Sequence, residues 1–300
     1  MAKKIMIQAT GFGTGVGKSF LVSLLSRIFS DDGYKITPFK TINITANTYN
    51  KEGKEFGYSQ ALQSVAARQK PDYRTNPCTI KPLCNGNFDI FLDGECVQGN
   101  FNPSKHILKE IFKTIIGLKK NYNSIRESAK RNLESLAKEY DIICIEGSGP
   151  ARLFGFGAFS DLLGVANMET AKIADSPIIL ITDNVDSVPQ TFSYFKEDEK
   201  KRFKGVIINK YPSNEFLDMG IKDLYVKFGA KRFKYIYQEK INAKIFGLIP
   251  YFPEMKNLPD LDSLTDSSKI PFEEFENLIS SISKKSRDFL DLDKIYGIMK

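Results

Sequence analysis

Tryptophan is absent and histidine occurs once, at position 106, in a chain of 300 residues. A Ser-His-Asp or Cys-His nucleophile system would therefore have to use His106. That residue sits in NPSKHILKEIFKTII, where apolar residues near i, i+3 and i+4 mark a helix, and it reads as a helix-start or surface histidine. Catalysis is expected to rest on lysines, carboxylates and amides instead. The four cysteines, Cys78, Cys84, Cys96 and Cys144, show no CxxC spacing, and only His106 could join them as a soft ligand, which argues against zinc. An 18-residue apolar run is also missing, and the apolar run in the opening MAKKIMIQATGFG is of strand length, too short for a signal sequence. The expected setting is cytoplasmic, with reduced cysteines and no membrane partner. No basic arm exists: 43 Lys+Arg against 36 Asp+Glu give +7, spread along the chain. Such a balance suits polyanionic small molecules such as nucleotides and makes no case for nucleic acid. With 42% hydrophobic and 26% charged residues and no Pro-, Gly- or Gln-rich tract, collagen-like, mucin-like and disordered readings are excluded.

What is present alternates. Short apolar runs at Lys4 to Thr10, Lys35 to Phe39, Tyr140 to Glu146, Pro177 to Thr182, Phe203 to Asn209 and Lys244 to Ile249 read as buried parallel strands. Helical patterns lie between them at Lys18 to Phe29, Tyr58 to Arg68, Ser104 to Gly117, Ser124 to Glu139, Ser160 to Ala174, Pro189 to Lys200 and Glu215 to Phe228. Alternation over about 250 residues predicts one α/β domain with a mostly parallel central sheet flanked by helices. The stretch from Asn76 to Pro103 reads as a hairpin inserted beside that sheet. After a polar linker, DSLTDSSKIP, one amphipathic helix from Phe272 to Phe289 closes the chain, so residues 1–265 are expected as the domain and 266–300 as a helical appendage.

Gly11-Phe-Gly13-Thr14-Gly15-Val16-Gly17-Lys18-Ser19, with Phe20 following, lies between the first strand and first helix, where a nucleotide phosphate loop belongs. Glycines let backbone N–H groups turn toward phosphate oxygens, Lys18 can reach β- and γ-phosphates, and the Ser19 hydroxyl can bind Mg²⁺. The Gly11 to Gly17 spacing is one residue longer than in GxxxxGK[ST], and position 12 is Phe. An Mg²⁺–ATP site also needs a carboxylate at a neighbouring strand end. Glu146, before Gly147-Ser148-Gly149, is best placed and Asp183 next, a helix cap being the plainer alternative for each.

On these residues the chain resembles the synthetase domain of cobyric acid synthase, within the dethiobiotin synthetase-like group of P-loop enzymes. The family's GTxSxVGKS loop is similar to Gly11–Ser19, and its PFKxQNMxxNS element to Pro38-Phe-Lys40-Thr-Ile-Asn43-Ile-Thr-Ala-Asn47-Thr-Tyr49. GxExGxAQxxQAxAA is matched at Gly53-Lys-Glu55-Phe-Gly57-Tyr-Ser-Gln60-Ala-Leu-Gln63-Ser-Val-Ala-Ala67, MNPxLLKP at Asn76-Pro77-Cys-Thr-Ile-Lys81-Pro82, and IEGAGS at Ile145 to Gly149. Asn167-Met168, Ile208-Asn209-Lys210, Gly247-Leu-Ile-Pro250-Tyr and Asp262-Ser-Leu264 extend the likeness to about residue 265. The resemblance implies a P-loop NTPase-type three-layer sandwich acting as an ATP-dependent amide ligase of cobalamin biosynthesis, with ATP and Mg²⁺ as cofactors. A side-chain carboxylate of a corrinoid, or of another small acceptor, would become an acyl phosphate that ammonia displaces. Lys18, Lys40 and Glu146 would be catalytic; Ser19, Glu146 and Asp183 would face the metal; Asn209 and Pro250 would join the loop at the nucleotide. Asn43, Asn47, Tyr49, Gln60, Gln63 and Lys81 would line the acceptor side.

Three departures stand out. The family's glutaminase domain does not follow, so ammonia is expected from solution or from a separate glutaminase subunit, and the tail helix could dock that subunit or a second copy as a homodimer. DIDRGGVFA is reduced to Asp183-Asn-Val-Asp186-Ser-Val-Pro189-Gln, and residues 150–168 are Gly- and Phe-rich and differently spaced. Two alternatives stay open: a dethiobiotin synthetase-like enzyme on another acceptor, and a nucleotide-binding scaffold or switch ATPase of the MinD type, whose second loop lysine is Phe12 here.

Overall fold

The computed structural model describes residues 2–11, 15–83, 87–101, 107–151, 164–211, 234–258 and 269–299. In chain order the strands are β1 (Lys3–Ala9), β2 (Ile36–Phe39), β3 (Ile42–Ile44), β4 (Thr48–Lys51), β5 (Lys54–Gly57), β6 (Cys78–Pro82), β7 (Phe88–Leu92), β8 (Glu95–Phe101), β9 (Ile142–Pro150), β10 (Ile178–Thr182), β11 (Phe203–Ile208) and β12 (Ile245–Leu248). The helices named below are α1 (Lys18–Asp31), α2 (Tyr58–Ala66), α3 (Ile107–Leu136), α4 (Thr170–Ala174), α5 (Ser187–Ser193), α6 (Glu197–Lys200), α7 (Phe272–Ser286) and α8 (Leu292–Ile298).

Six of the strands pair in the order β12-β11-β10-β1-β9-β2, all parallel. Side chains alternate across this sheet with the period of two that strands impose. Ile5 and Ile7 pack into one core with Leu21, Leu25, Leu62 and Ile279, while Met6 and Leu180 pack into the other with Leu133 and Ala171. The protein is thus an α/β three-layer sandwich. From β1 the chain crosses through α1 to β2, and the intervening place is filled later by β9, whereas β10 to β12 extend the opposite side. The order therefore reverses at β1, and in an open α/β sheet the crevice beyond the strand ends at such a point is where ligands bind.

A second sheet, β3-β6-β7-β8, pairs β3 parallel to β6 and then runs antiparallel. The stretch read as an inserted hairpin is β7–β8, turning at Asp93-Gly94 with positive φ at both residues, as a two-residue hairpin loop requires. Asp93 also accepts hydrogen bonds from Ser128, Arg131 and Asn132, which ties this sheet to α3. β4 and β5 form a further hairpin with the same turn chemistry at Glu52-Gly53.

Several boundaries differ from expectation. The helices expected at 104–117 and 124–139 are one, α3, because nothing between them is a proline and an interior Gly117 costs only about 1 kcal/mol. The single helix expected at 189–200 is two, α5 and α6, separated at Tyr194 to Lys196, where the Lys196 N–H donates to the Glu199 carboxylate at 3.0 Å. The helix expected at 215–228 and most of the loop at 150–163 lie outside the described residues. Residues 266–300, expected as an appendage, contribute Ile270, Phe275, Ile279, Ile282, Leu290, Ile295 and Met299 to the core beneath α1 and α2. Leu290 bridges to Gly247 at the sheet edge, and the Asp291 N–H donates to the Phe246 carbonyl at 2.7 Å. An amphipathic face shows in the sequence; the partner it covers does not.

Two outcomes follow from this packing. Ile279→Ala, at a side chain only 1% exposed, is expected to lower stability by about 2–5 kcal/mol in urea unfolding, where an appendage would lose almost nothing. Burial pushes the Cys78 thiol up to about 12 and the Cys144 thiol further, whereas Cys96 is exposed. Alkylation of the native protein at about pH 8 should therefore modify Cys96 and spare Cys78 and Cys144, as read by peptide mass mapping.

Candidate functional site

β1 delivers the chain into the glycine loop at the reversal point. Gly11, Gly15 and Gly17 all have positive φ, and Gly17, at φ 102°, caps the N-terminus of α1. Any side chain at Gly17 would collide with Asn209, whose Nδ2 would lie 2.2 Å from the added Cβ. The N-terminal amides of α1, with Lys18 and Ser19 in its first turn, then present the donors and positive charge that phosphates seek. Gly13 and Thr14 lie outside the described residues. Phe20 packs its ring against Phe252, two residues past Pro250, at 6.3 Å.

The opposite wall of the loop comes from the end of β11. Asn209 Nδ2 donates to the Val16 carbonyl at 2.9 Å, and Lys210 Nζ donates to the Gly15 carbonyl at 2.6 Å. Asp183, a candidate metal ligand from the sequence, has its ion pair with Lys210 at 3.8 Å. Lys210 was not singled out from the sequence; its left-handed φ of 56°, which turns it back over the loop, has no local signature.

Glu146 is the centre of the site. β2 and β9 run parallel with Phe39 opposite Ile145, so Lys40, just past the end of β2, comes beside Glu146 within β9. Glu146 Oε1 accepts from Ser19 Oγ at 2.8 Å and pairs with Lys40 Nζ at 2.8 Å, while its Oε2 accepts from Gln63 Nε2 on α2. The carboxylate is 0% exposed and the Lys40 side chain 5%, so each charge depends on the other. Lys40 is fixed from behind: its N–H donates to the Thr75 carbonyl and its own carbonyl accepts from Asn76 Nδ2, both at 2.8 Å. Past Glu146 the register of β9 against β1 shifts, and Asn167 clamps the bulge, accepting from the Ser148 N–H and donating to the Ser148 and Pro150 carbonyls. Asn167 sits in a single π-helical turn, Val165–Glu169, a device common where a helix must aim a side chain.

Beyond Glu146 lies a buried field of amides. Asn43 Nδ2 donates to Gln60 Oε1 at 2.9 Å, and Gln60 and Gln63 share one face of α2. Asn47, also buried, bonds through its carbonyl to the Tyr58 N–H. Gln60 Nε2 and Gln63 Oε1 are buried and find no hydrogen-bond partner among the described residues. An orphaned donor and acceptor cost about 1–3 kcal/mol each, and their place beside Glu146 marks a surface made for a polar ligand. Two other residues of the acceptor set are engaged elsewhere. Tyr49 packs among the rings of Phe56, Tyr58 and Phe272, and Lys81 pairs with Glu55 at 2.5 Å. The structure thus brings together Ser19, Lys40, Gln63 and Glu146, with Asn43 and Gln60 joined to them through α2.

Comparison with known proteins gives the family. Residues 7–263 match the family model described as the CobQ/CobB/MinD/ParA nucleotide binding domain. A cobyric acid synthase of Clostridium botulinum (strain Alaska E43 / Type E3) is 31% identical over 306 residues, covering 97% of this chain and 54% of that protein. One from Alkaliphilus metalliredigens (strain QYMF) is 34% identical over 271 residues, covering 87% and 46% respectively. The chain thus spans about half the length of the curated relatives it matches. Among solved structures, the septum site-determining protein MinD complexed with Mg-ADP from Pyrococcus horikoshii OT3 aligns over 99% of this chain and 98% of that one, at 14% identity and a TM-score of 0.45. The resemblance to cobyric acid synthase carried by the motifs extends over most of the sequence, and the chain belongs to the CobQ/CobB/MinD/ParA nucleotide-binding domain family.

Proposed function

We propose that the protein is the synthetase component of an ATP-dependent amide ligase of cobalamin biosynthesis, activating corrinoid carboxylates for amidation by ammonia. The observation that carries this reading is the buried Glu146 carboxylate, gripped by Ser19 of the phosphate loop, Lys40 of β2 and Gln63 of α2. It joins a nucleotide loop to a field of buried amides, which suits an acceptor rich in carboxylates and amides. The relatives named cobyric acid synthase give the acceptor class.

The residues fit a magnesium ion that arrives with a nucleotide. Among the described residues no trio of His, Cys, Asp or Glu could cage a metal unaided. A hydroxyl and a carboxylate in mutual contact are hard oxygen donors of the kind Mg²⁺ accepts beside phosphates. Ser19 and Glu146 would hold Mg²⁺, which neutralises phosphate charge.

The reaction brings two anions together, a carboxylate and a γ-phosphate, and the site must cancel their repulsion. Lys18 and the amides of α1 hold the phosphates; Lys40 at the end of β2 steadies the incoming carboxylate or the transferred group. A carboxylate oxygen attacks the γ-phosphorus, the bond to the β-phosphate oxygen breaks, and ADP departs. Ammonia then attacks the carbonyl carbon; the C–O bond to phosphate breaks, and phosphate leaves with the electron pair and the proton lost from nitrogen. Asn43, Asn47 and Gln60 position the acceptor.

Lys18→Ala is expected to lower ATP turnover by about 10²-fold or more, measured as ADP release. Lys40→Ala should retain nucleotide affinity and lose product; undiminished product from that variant would remove Lys40 from the mechanism. Incubating cobyrinic acid a,c-diamide with the protein, Mg²⁺–ATP and ammonium should give stepwise amide formation by mass spectrometry that requires Lys18. ATP cleavage with an unchanged corrinoid would assign the site to a different acceptor.

A further inference from the structure

The acceptor set read from the sequence places Gln63 at the substrate, but its observed partner is the carboxylate. Gln63 is buried on the inward face of α2, its Nε2 donates to Glu146 Oε2, and its Oε1 has no hydrogen-bond partner among the described residues. The other carboxylate oxygen, Oε1, is the one that meets Ser19 and Lys40. Without a donor at Oε2, rotation about the last side-chain bond of Glu146 would exchange the two oxygens and lose the alignment with the phosphate loop.

The orphaned Oε1 adds a second observation. A buried amide oxygen with no donor costs about 1–3 kcal/mol unless a ligand supplies one. Mg²⁺ keeps several of its waters when it binds beside phosphates, and water is the donor such an oxygen lacks. Residues that orient a ligating carboxylate this way commonly change metal affinity by 10–100-fold when altered. We infer that Gln63 is a positioning residue for magnesium: its Nε2 fixes the Glu146 carboxylate, and its Oε1 accepts from water bound to the metal. This rests on the reading of Ser19 and Glu146 as the metal's protein ligands, and gives α2 a place at the nucleotide as well as at the acceptor.

The test is equilibrium binding of a fluorescent ATP analogue, with and without Mg²⁺, to the wild type and to Gln63→Met and Gln63→Glu. Methionine keeps the volume and removes both polar atoms; it should reduce the gain in affinity on adding Mg²⁺ by about 10–100-fold, with thermal unfolding measured alongside to show that the fold is intact. Glutamate keeps the shape but offers no N–H to Glu146 Oε2, so it should lose the gain as methionine does, whereas a merely steric role would be satisfied by it. A wild type whose nucleotide affinity ignores Mg²⁺ would overturn the metal reading and this inference with it. A Mg²⁺-dependent wild type matched by both variants would overturn the inference alone.

Discussion

A carboxylate with no exposed surface, surrounded by an apolar sheet, survives as an ion only where charge and hydrogen bonds replace its water, and Glu146 meets that demand from three directions. Desolvating such a group costs several kcal/mol, so Lys40, Ser19 and Gln63 are conditions of the fold as much as parts of the site. Each partner comes from a different element: β2, the first turn of α1, and α2. They meet because β9 lies between β1 and β2, so that the phosphate loop leaving β1 and the lysine leaving β2 flank the glutamate of β9. A sheet with β9 at its edge would separate all three. The sheet order, the burial of one ion pair and the nucleotide chemistry are therefore a single constraint seen at three scales, and the donors need little reorganisation when charge develops.

The proposed acceptor side is held by a different device. Its amides sit on α2 and on the β3-to-β5 segment, and both are strapped by the tail. Phe272 stacks on Tyr58 at 5.6 Å, Tyr58 Oη donates to the Ile270 carbonyl, and Lys269 Nζ donates to the Thr48 carbonyl. The same tail then packs Phe275, Ile279 and Ile282 against the main core. Tyr49, expected at the substrate, is the ring that joins the hairpin to this strap. The tail's burial thus fixes α2, and α2 carries the glutamines.

How much of this was legible in the sequence follows from how local each signal is. Gly17-Lys18-Ser19 could be read because strand, loop and helix are contiguous, and Glu146 because it follows a continuous apolar run, whereas Lys40 entered through the resemblance of Pro38-Phe-Lys40 to a family element. The parallel α/β architecture followed from alternation alone. Gln63 was visible as one of a pair of glutamines, but its contact depends on where α2 docks, which no spacing encodes. Lys210 depends on a left-handed turn at a non-glycine residue, and the tail's role on a partner far away in the chain. The break between α5 and α6 and the fusion of the two segments of α3 turned on helix ends, where a few tenths of a kcal/mol of capping decide the outcome.

The orphaned glutamine atoms place the site in tension with the fold. At positions 60 and 63 a helix selected for stability alone would carry leucine or methionine, which bury without any polar atom to satisfy. Two unpartnered atoms forgo about 1–3 kcal/mol each, and the neighbouring ion pair contributes little beyond its own desolvation. That deficit is tolerable because α2 is clasped on its other side by α1 and by the tail, whose Ile279 and Ile282 are nearly sealed from water. Loosening the tail should therefore reach the site through α2 before it reaches the phosphate loop, which is braced separately by Asn209 and Lys210 from β11. In the proposed function, nucleotide grip and acceptor geometry draw on different supports, the loop on Asn209 and α2 on the tail, and Glu146 is bonded to both Ser19 and Gln63.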